Sequence, residues 1–363
     1  MKYLRGKMPA LRIGCARRVA QKPPLLLLVL LGLGLWSISC KRDLSAESKS
    51  DKLGQSAAPK PPEAEPPHAK IPVGKEVVVG KFFQFVEEIV RQNDTLTAYK
   101  LTENLLLRAN PWILDTLVAT DYYVQVSRGN VVYDQQKMVV LRPGDTLLIP
   151  GPKTAAALLE KMARTRLDIN IPAFEMHILE GDSLLCVVPV RVGKDQKKYL
   201  EAVGREVDLR TRTGAGEIIR VNRYPRFVDP VTGKKFKFTK RDDRRTTRMP
   251  QIPWLEPSLN GHRYGQMIHP TTNPRTLGKA ASNGCIGTSE ADGWRVYFFA
   301  PVGTKVLIRY DLQAINERGD TLRYDDVYHL RRPGKALRPI AVAGFLPEKT
   351  EWICQCDSMF FTP

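Results

Sequence analysis

The sequence predicts a mainly β fold with short helices, preceded by a small α+β domain. Between residues 166 and 312, several short segments alternate apolar and polar residues, a period typical of strands. Turn residues such as Glu180-Gly181-Asp182 separate neighbouring segments, which favours hairpins. At 76–152, by contrast, segments with helical periodicity are mixed with two strand-like segments. The chain therefore divides into a small mixed region and a larger β-rich one.

Residues 1–40 have the features of an export signal. Seven Lys and Arg residues, and no acidic residue, occur before position 40. The apolar segment from Leu25 to Trp36 is too short to cross a bilayer comfortably and has the length of a signal-peptide core. The sequence Ser-Ile-Ser-Cys ending at Cys40 resembles a bacterial lipoprotein cleavage site, although Ser37 stands where Leu is usual. Cys40 is then the expected lipidation site; the alternative is a single membrane anchor.

Composition marks two further boundaries. Residues 41–75 are rich in Pro, Ala, Ser, Lys and Glu and lack aromatic residues, which predicts a flexible tether. Residues 313–363 carry a strand-like pattern and then a C-terminal extension with no assignable role. The four boundaries give five regions, of which 76–152 and 166–312 are expected to be folded domains.

The charge balance indicates an anionic surface or an acidic substrate. The full chain has a formal net charge of +18. Without the seven basic residues of the export signal, 49 basic and 38 acidic residues leave +11. The basic residues are dispersed and no zinc-finger or RNA-binding signature occurs, so we expect no nucleic-acid partner.

Residues 76–152 resemble the LysM glycan-binding module in two details. One is "NDTL" at 93–96, followed by a helical segment that ends at Asn110-Pro111, and the other is the closing "LRPGDTLLIP" at 141–150. LysM modules are shorter, so residues 122–137 would be an insertion. The resemblance implies binding to glycan strands; the alternative is a generic α+β spacer domain.

The longest irregular connection of the β-rich region contains His269 and Cys285, sixteen positions apart. A thiol is nucleophilic as thiolate, and an imidazole can accept its proton, so such a pair can attack a carbonyl and form a thioester. Gly284 allows a tight turn, in which the N–H groups of Asn283, Gly284 and Cys285 could converge on one oxyanion. The alternative is a buried cysteine and an unrelated surface histidine.

The residues around this pair resemble the catalytic segment of the YkuD-type L,D-transpeptidases. That motif has a His, a gap of this length, Ser or Thr, a variable residue, Gly, Cys, and Arg or Asn two positions later. The corresponding residues here are His269, Ser282, Asn283, Gly284, Cys285 and Gly287. The resemblance extends over about 166–310.

The resemblance implies an enzyme that acts on peptidoglycan outside the cytoplasm, at the periplasmic face. Cys285 would be the nucleophile and His269 the proton donor and acceptor, in a reaction that releases D-Ala from a donor stem peptide. An acceptor stem peptide would then complete a 3–3 cross-link, and no metal or organic cofactor is required. Two alternatives stay open: an L,D-carboxypeptidase with the same chemistry, and a catalytically lapsed wall-binding lipoprotein.

Two positions depart from the family motif. Pro270 replaces a frequent Gly, but its carbonyl could still accept a hydrogen bond from the imidazole of His269 and fix the tautomer. Gly287 replaces Arg or Asn, so a side chain that would brace the site is missing. Either a donor from elsewhere substitutes, with the basic stretch at 240–248 as the expected source, or activity is reduced.

Other candidate residues have simpler interpretations. His177 and His329 lie at strand-like positions and are expected to be structural. Trp254 and Tyr264 could form a wall of the substrate site or pack in the core. Cys186, in an apolar segment, is expected to be a buried residue.

Overall fold

A computed structural model of the chain describes residues 65–315 and 319–331. The predicted export signal with Cys40 and most of the predicted tether lie outside the described residues, as does the chain beyond 331. Within the described ranges, no helix is both long and apolar enough to cross a membrane.

The described chain up to residue 163 contains five helices and two small two-stranded sheets. Its helices are α1 (Val79–Asn93), α2 (Glu103–Ala109), α3 (Trp112–Val118), α4 (Tyr122–Ser127) and α5 (Pro152–Ala163). Its strands are β1 (Ala69–Pro72), β2 (Val77–Val78), β3 (Val139–Leu141) and β4 (Thr146–Ile149). Short 3-10 helices span Asp94–Leu96 and Gln135–Lys137. β1 pairs antiparallel with β4, and β2 with β3.

The predicted helix end at Asn110-Pro111 is confirmed, and a second helix begins directly after it. Pro111 has no N–H to continue α2, but it is well suited to precede the first turn of α3. The side chain of Asn110 donates to the carbonyls of Leu106 and Leu148, both at 2.9 Å, and accepts from the N–H of Leu148 at 2.8 Å. Asn110, at the break between α2 and α3, therefore also links these helices to β4 by hydrogen bonds.

The mainly β fold predicted for the rest of the chain is confirmed. The strands are β5 (Thr165–Asn170), β6 (Glu175–Glu180), β7 (Ser183–Pro189), β8 (Val192–Gly193), β9 (Lys197–Leu200), β10 (Arg205–Asp208), β11 (Gly214–Asn222), β12 (Phe238–Lys240), β13 (Thr246–Arg248), β14 (Trp254–Leu259), β15 (Ile268–Pro270), β16 (Ala280–Ser282), β17 (Ile286–Thr288), β18 (Lys305–Arg309), β19 (Gln313–Ile315) and β20 (Thr321–Arg323). One helix, α6 (Glu290–Phe299), and a 3-10 helix at Pro274–Thr276 interrupt them.

Eight of these strands form one sheet in the order β17-β15-β14-β11-β18-β5-β6-β7. The pairs β15/β17 and β18/β5 are parallel and the others are antiparallel. Just beyond β7, Arg191 forms an antiparallel bridge with Gly287 in β17, through hydrogen bonds of 2.8 and 2.9 Å. The first and last strands thus meet at one point, and the sheet nearly closes on itself.

Helix α6 begins and ends as its sequence predicts. Ser289 is the N-cap and accepts from the N–H of Asp292 at 3.0 Å, and the helix ends before Pro301. Trp294 and Tyr297 are fully buried on this helix and contact the ring of Phe83 in α1. The core therefore continues from the sheet through α6 into the N-terminal helices.

The stretch 222–268, which is rich in Pro and Arg and has few strong periodicities, contains three strands, and one of them, β14, pairs with both β11 and β15. Pro257 within β14 and a bulge in β11 at 218–220 obscure the alternation that would reveal it. His329 lies in a turn with a φ of 51°, rather than in a strand.

Candidate active site

His269 and Cys285 lie on adjacent parallel strands. In the pairing of β15 with β17, His269 is opposite Gly287, and Cys285 directly precedes β17. The Sγ of Cys285 accepts a hydrogen bond from the N–H of Met267 at 3.4 Å. Both side chains are half-buried. The topology therefore brings together the histidine and the cysteine that the sequence singled out.

The imidazole of His269 is fixed on two sides. Its Nδ1 lies 2.9 Å from the carbonyl oxygen of Pro270, as expected from the sequence. Because a carbonyl can only accept, Nδ1 carries the proton and Nε2 is left as an acceptor. The ring of Trp254 stacks on the imidazole with 4.6 Å between ring centroids and 29° between planes.

Burial keeps both groups of this pair neutral. Burial, together with the positive charge of Arg191, lowers the pKa of His269 to about 4, against a smaller opposing effect of the Pro270 bond. Burial also raises the pKa of the Cys285 thiol, although the N–H of Met267 and the charge of Arg191 oppose this. With these shifts the thiol of Cys285 and the imidazole of His269 are both uncharged near neutral pH.

A tight turn holds the cysteine. Gly284 has a φ of +108°, which a residue with a side chain rarely adopts. The Oγ of Ser282 donates to the carbonyl of Cys285 at 2.5 Å and accepts from the N–H of Gly284 at 3.2 Å. The N–H of Gly284, expected to face a substrate oxygen, is bonded to Ser282 in this structure, and its part in oxyanion binding stays a prediction. For Asn283, half-buried in the turn, the role stays a prediction.

The turn is braced by two residues that the sequence analysis missed. The hydroxyl of Thr211 donates to the carbonyl of Gly284 at 3.1 Å and accepts from the N–H of Gly193 at 2.8 Å. The hydroxyl of Tyr328 donates to the Gly193 carbonyl at 2.9 Å and accepts from the Thr211 N–H at 3.1 Å. No local sequence signal marks either residue, since each lies more than forty positions from Cys285.

The space beside Gly287 is occupied by Arg191. A Cβ placed on Gly287 would lie 2.5 Å from Nε and 2.6 Å from Cγ of Arg191. The basic stretch at 240–248 was therefore the wrong source for the missing side chain. Its Arg241 is fully buried in an ion pair with Glu290 instead.

A family model for the YkuD L,D-transpeptidase catalytic domain matches residues 164–308. These residues are a YkuD L,D-transpeptidase catalytic domain. The resemblance seen in the sequence is confirmed for this part of the chain, while the LysM-like resemblance of residues 76–152 stays a prediction.

Two bacterial relatives are both named "Putative L,D-transpeptidase YkuD". The Bacillus licheniformis protein is 27% identical over 165 residues, covering 46% of this chain and 74% of the relative. The Bacillus subtilis protein is 24% identical over 223 residues, covering 60% of this chain and 96% of the relative.

Two solved structures are also similar to the chain. An L,D-transpeptidase from Xylanimonas cellulosilytica is 14% identical with a TM-score of 0.30, and the match covers 67% of this chain and 100% of that one. An L,D-transpeptidase from Mycobacterium smegmatis is 16% identical with a TM-score of 0.28, and the match covers 40% of this chain and 58% of that one.

The loop between His269 and Cys285 is also held from the N-terminal helices. The hydroxyl of Tyr123, in α4, donates to the carbonyl of Thr272 at 3.1 Å and also to the carboxylate of Asp242. Asp242 in turn accepts from the N–H of Arg275 at 3.4 Å. Residues upstream of the catalytic domain thus help to position its central loop.

Of the remaining candidates, Trp254 contacts the site, and His177 and Cys186 have the features of structural residues. His177 is in β6, 3.3 Å from Glu175, and Cys186 is buried in β7, as expected for structural residues. Tyr264 is about half exposed at 48%, whereas Trp254 packs on His269. Among the described residues, no group of three or more His, Cys, Asp or Glu is arranged to hold a metal ion.

Proposed function

We propose that the protein is an exported cysteine acyltransferase that forms 3–3 cross-links in peptidoglycan, with Cys285 as nucleophile and His269 as general base. The observation that carries this proposal is the placement of His269 in β15 and of Cys285 directly before the parallel strand β17, with the imidazole tautomer fixed by Pro270. This arrangement leaves Nε2 unprotonated and able to accept a proton.

The first half-reaction transfers the donor stem peptide to the enzyme. Nε2 of His269 accepts the thiol proton as Sγ of Cys285 attacks the carbonyl between the diamino acid and the terminal D-Ala. The carbonyl π electrons move onto its oxygen, and the N–H groups of Asn283 and Cys285 are the donors closest in sequence to the nucleophile. The C–N bond then breaks, His269 returns the proton to the departing amine, and D-Ala leaves a thioester behind.

The second half-reaction transfers the acyl group to an acceptor. The side-chain amine of a diamino acid in another stem peptide attacks the thioester carbonyl and gives a proton to His269. The C–S bond breaks, and the thiolate of Cys285 takes that proton back. The product is an amide between two diamino acids, and the enzyme returns to its neutral resting pair.

Product analysis tests the proposal. Purified protein is incubated with disaccharide-tetrapeptide muropeptides, and the products are separated and identified by mass spectrometry. We expect free D-Ala and a 3–3 linked dimer. Tripeptide without dimer would show that water is the acceptor, as in a carboxypeptidase, and no D-Ala release would overturn both activities. Cys186→Ala is the matched control, because it removes the other cysteine of the described chain and leaves the site intact.

We also propose that the protein is attached to the membrane at its periplasmic face through a lipid on Cys40. The support is the basic and apolar sequence before Cys40; two or more acyl chains anchor a protein far more firmly than one. Metabolic labelling with a fatty-acid probe should mark the wild type and miss Cys40→Ala. Equal labelling of both proteins would contradict the assignment.

A glycan-binding role is proposed for residues 76–152 on the two LysM-like sequence details. Sedimentation with insoluble cell-wall glycan tests it, after an amidase has removed the stem peptides. We expect the protein to sediment equally with stripped and intact walls. Binding to intact walls alone would assign the wall affinity to the stem-peptide site and leave 76–152 as a spacer.

A further inference from the structure

We propose that Arg191 is a positioning residue of the catalytic centre and supplies the basic side chain that the family motif carries at position 287. The proposal goes beyond the cross-linking function described above, and it rests on Cys285 being the reactive thiol. Its basis is the way in which the backbone and side chain of Arg191 meet the catalytic strands.

Backbone hydrogen bonds hold Arg191 and its two neighbours against β17 and the chain between His269 and Cys285. Its N–H and carbonyl pair with Gly287 in β17, at 2.8 and 2.9 Å. The carbonyl of Val190 accepts from the N–H of Gly278 at 3.0 Å, and the N–H of Val192 donates to the carbonyl of Lys279 at 3.1 Å. Four backbone bonds therefore fix where the side chain of Arg191 begins.

The side chain fills the volume that a residue at 287 would need. A Cβ on Gly287 would lie 2.5 Å from Nε, 2.6 Å from Cγ and 3.0 Å from Cδ of Arg191. Real Cβ atoms essentially never approach other atoms below 3.0 Å. A side chain at 287 therefore cannot be added while the side chain of Arg191 keeps its present conformation, and this chain has the arginine on the opposite strand.

The guanidinium keeps its charge available to the site. Nη1 donates to Thr276 at 3.3 Å, in the loop between His269 and Cys285. The buried Nε has no hydrogen-bond partner, and no carboxylate in the described part of the chain forms a salt bridge with Arg191. A cation that no anion neutralises favours the thiolate of Cys285, and its field lowers the pKa of that thiol against the effect of burial.

Alkylation of Cys285 by iodoacetamide tests the charge of Arg191 without any wall substrate. The rate is followed against pH in the full chain, by peptide-resolved mass spectrometry at Cys285. In Arg191→Met, which keeps most of the methylene packing, we expect the midpoint to move upward by about one pH unit or more, with roughly tenfold slower alkylation at neutral pH. Arg191→Lys should retain most of the wild-type profile.

The exchange of the arginine between strands tests its position. Gly287→Arg alone should lose acylation by imipenem, because the new Cβ collides with Arg191. The double variant Arg191→Ala/Gly287→Arg should acylate at least about tenfold faster than Arg191→Ala alone, since the space is then open. Recovery by an arginine on the other strand would not occur if Arg191 only closed the sheet.

Three results would overturn the proposal. One is a wild-type alkylation profile and acylation rate in Arg191→Met, which would leave Arg191 a packing residue. A second is an unchanged alkylation profile with a higher KM for tetrapeptide donors, which would assign Arg191 to substrate binding. The third is a folded double variant no faster than Arg191→Ala. Since alkylation needs no wall substrate, its result is independent of whether the enzyme cross-links peptidoglycan.

Discussion

Two arginines, one buried and one half-buried, are bonded in opposite ways. Arg241 is enclosed completely, and each of its nitrogens has an acceptor: Nη1 donates to Glu290 at 2.7 Å and Nε to Thr247 at 2.7 Å. Its Nη2 donates to Gln135 at 3.0 Å. Arg191, by contrast, makes a single side-chain hydrogen bond among the described residues and leaves its buried Nε without an acceptor.

This difference in bonding indicates different roles for the two arginines, one in the stability of the fold and one in the reaction. A buried ion pair with every hydrogen bond satisfied contributes a fixed structure, and the loss of one partner is expensive because the other charge stays buried. An arginine that lacks an anionic partner carries a charge that can act on a reacting group instead. The Arg241–Glu290 pair therefore belongs to the fold, and Arg191 belongs to the reaction.

Residues upstream of the family match at 164–308 also contribute hydrogen bonds to the Arg241–Glu290 pair and to helix α6. The carboxylate of Glu290 accepts from the backbone N–H of Tyr122 at 3.0 Å and from the side chain of Gln135 at 2.7 Å. Asp121 accepts from the N–H of Ala291 at 2.8 Å, in the first turn of α6. The catalytic domain thus depends on the N-terminal helices for stability, although its reactive residues are its own.

The largest expected effect is that of replacing Cys285, the proposed nucleophile. Cys285→Ser should form no adduct with imipenem, because a serine hydroxyl beside this imidazole is a far weaker nucleophile than a thiol. Its melting temperature should stay close to that of the wild type, since the two side chains are nearly isosteric. Intact-mass measurement gives the first result and calorimetry the second. Adduct formation by the Ser variant at the wild-type rate would exclude Cys285 as the nucleophile.

Replacement of the base should be the next largest effect. His269→Ala should slow acylation roughly 100- to 10,000-fold, the range for loss of a general base. Trp254→Phe is the matched control, because it alters the ring stacked on His269 and retains Nε2. The rate is measured with imipenem at neutral pH. Normal acylation in His269→Ala would remove the histidine from the mechanism.

Replacement of Arg241 should change the stability of the protein. Arg241→Met leaves the buried carboxyl of Glu290 without its cationic partner, so the free energy of unfolding should fall by about 3–5 kcal/mol. The double variant Arg241→Met/Glu290→Gln should lose less than the single variant, because no carboxyl remains buried without a cation. Urea unfolding followed by circular dichroism measures both. A double variant less stable than Arg241→Met would show that the carboxylate stabilises the fold even without its arginine.

The sequence predicted that His269 and Cys285 belong to one site because the motif that contains them is local. His269, Ser282, Gly284 and Cys285 occur in one short stretch, and the capping residue Ser289 marks the start of the next helix. The strands with clear alternation and the break at Asn110-Pro111 were equally visible.

The missed features depend on strand pairing that no local pattern shows. Arg191 lies 94 positions before Cys285, and the near closure of the sheet pairs its backbone with Gly287, two residues after Cys285. The charged stretch at 240–248 suggested a brace for the site, yet its Arg241 is neutralised by a carboxylate from α6. Strand pairing decides which arginine lies at the site, and the sequence alone does not show how strands so far apart in the chain pair.

Loss of the hydrogen bonds from Tyr123 in α4 to Asp242 and Thr272 should have a smaller effect. Tyr123→Phe removes the hydroxyl that joins Asp242 and the carbonyl of Thr272, so stability should fall by about 1 kcal/mol. Acylation should slow by only about threefold to tenfold, because the loop keeps its other bonds. Both are measured on the same preparation. A loss as large as that of His269→Ala would mean that the loop cannot hold its shape without α4.

The smallest expected effect is the pH dependence of acylation near neutrality. Because the pKa of His269 is lowered to about 4, its imidazole is neutral and able to accept a proton at any higher pH. The rate of imipenem acylation should therefore be nearly constant between about pH 6 and 8 and fall to half only near pH 4, with folding checked by circular dichroism. A histidine with the ordinary pKa of about 6.5 would already be about thirtyfold less available at pH 5. Arg191→Met sharpens the comparison, since removal of that charge should raise the pKa of His269 and move the midpoint upward. A wild-type midpoint near pH 6.5 would show that the histidine is not shielded as the structure indicates.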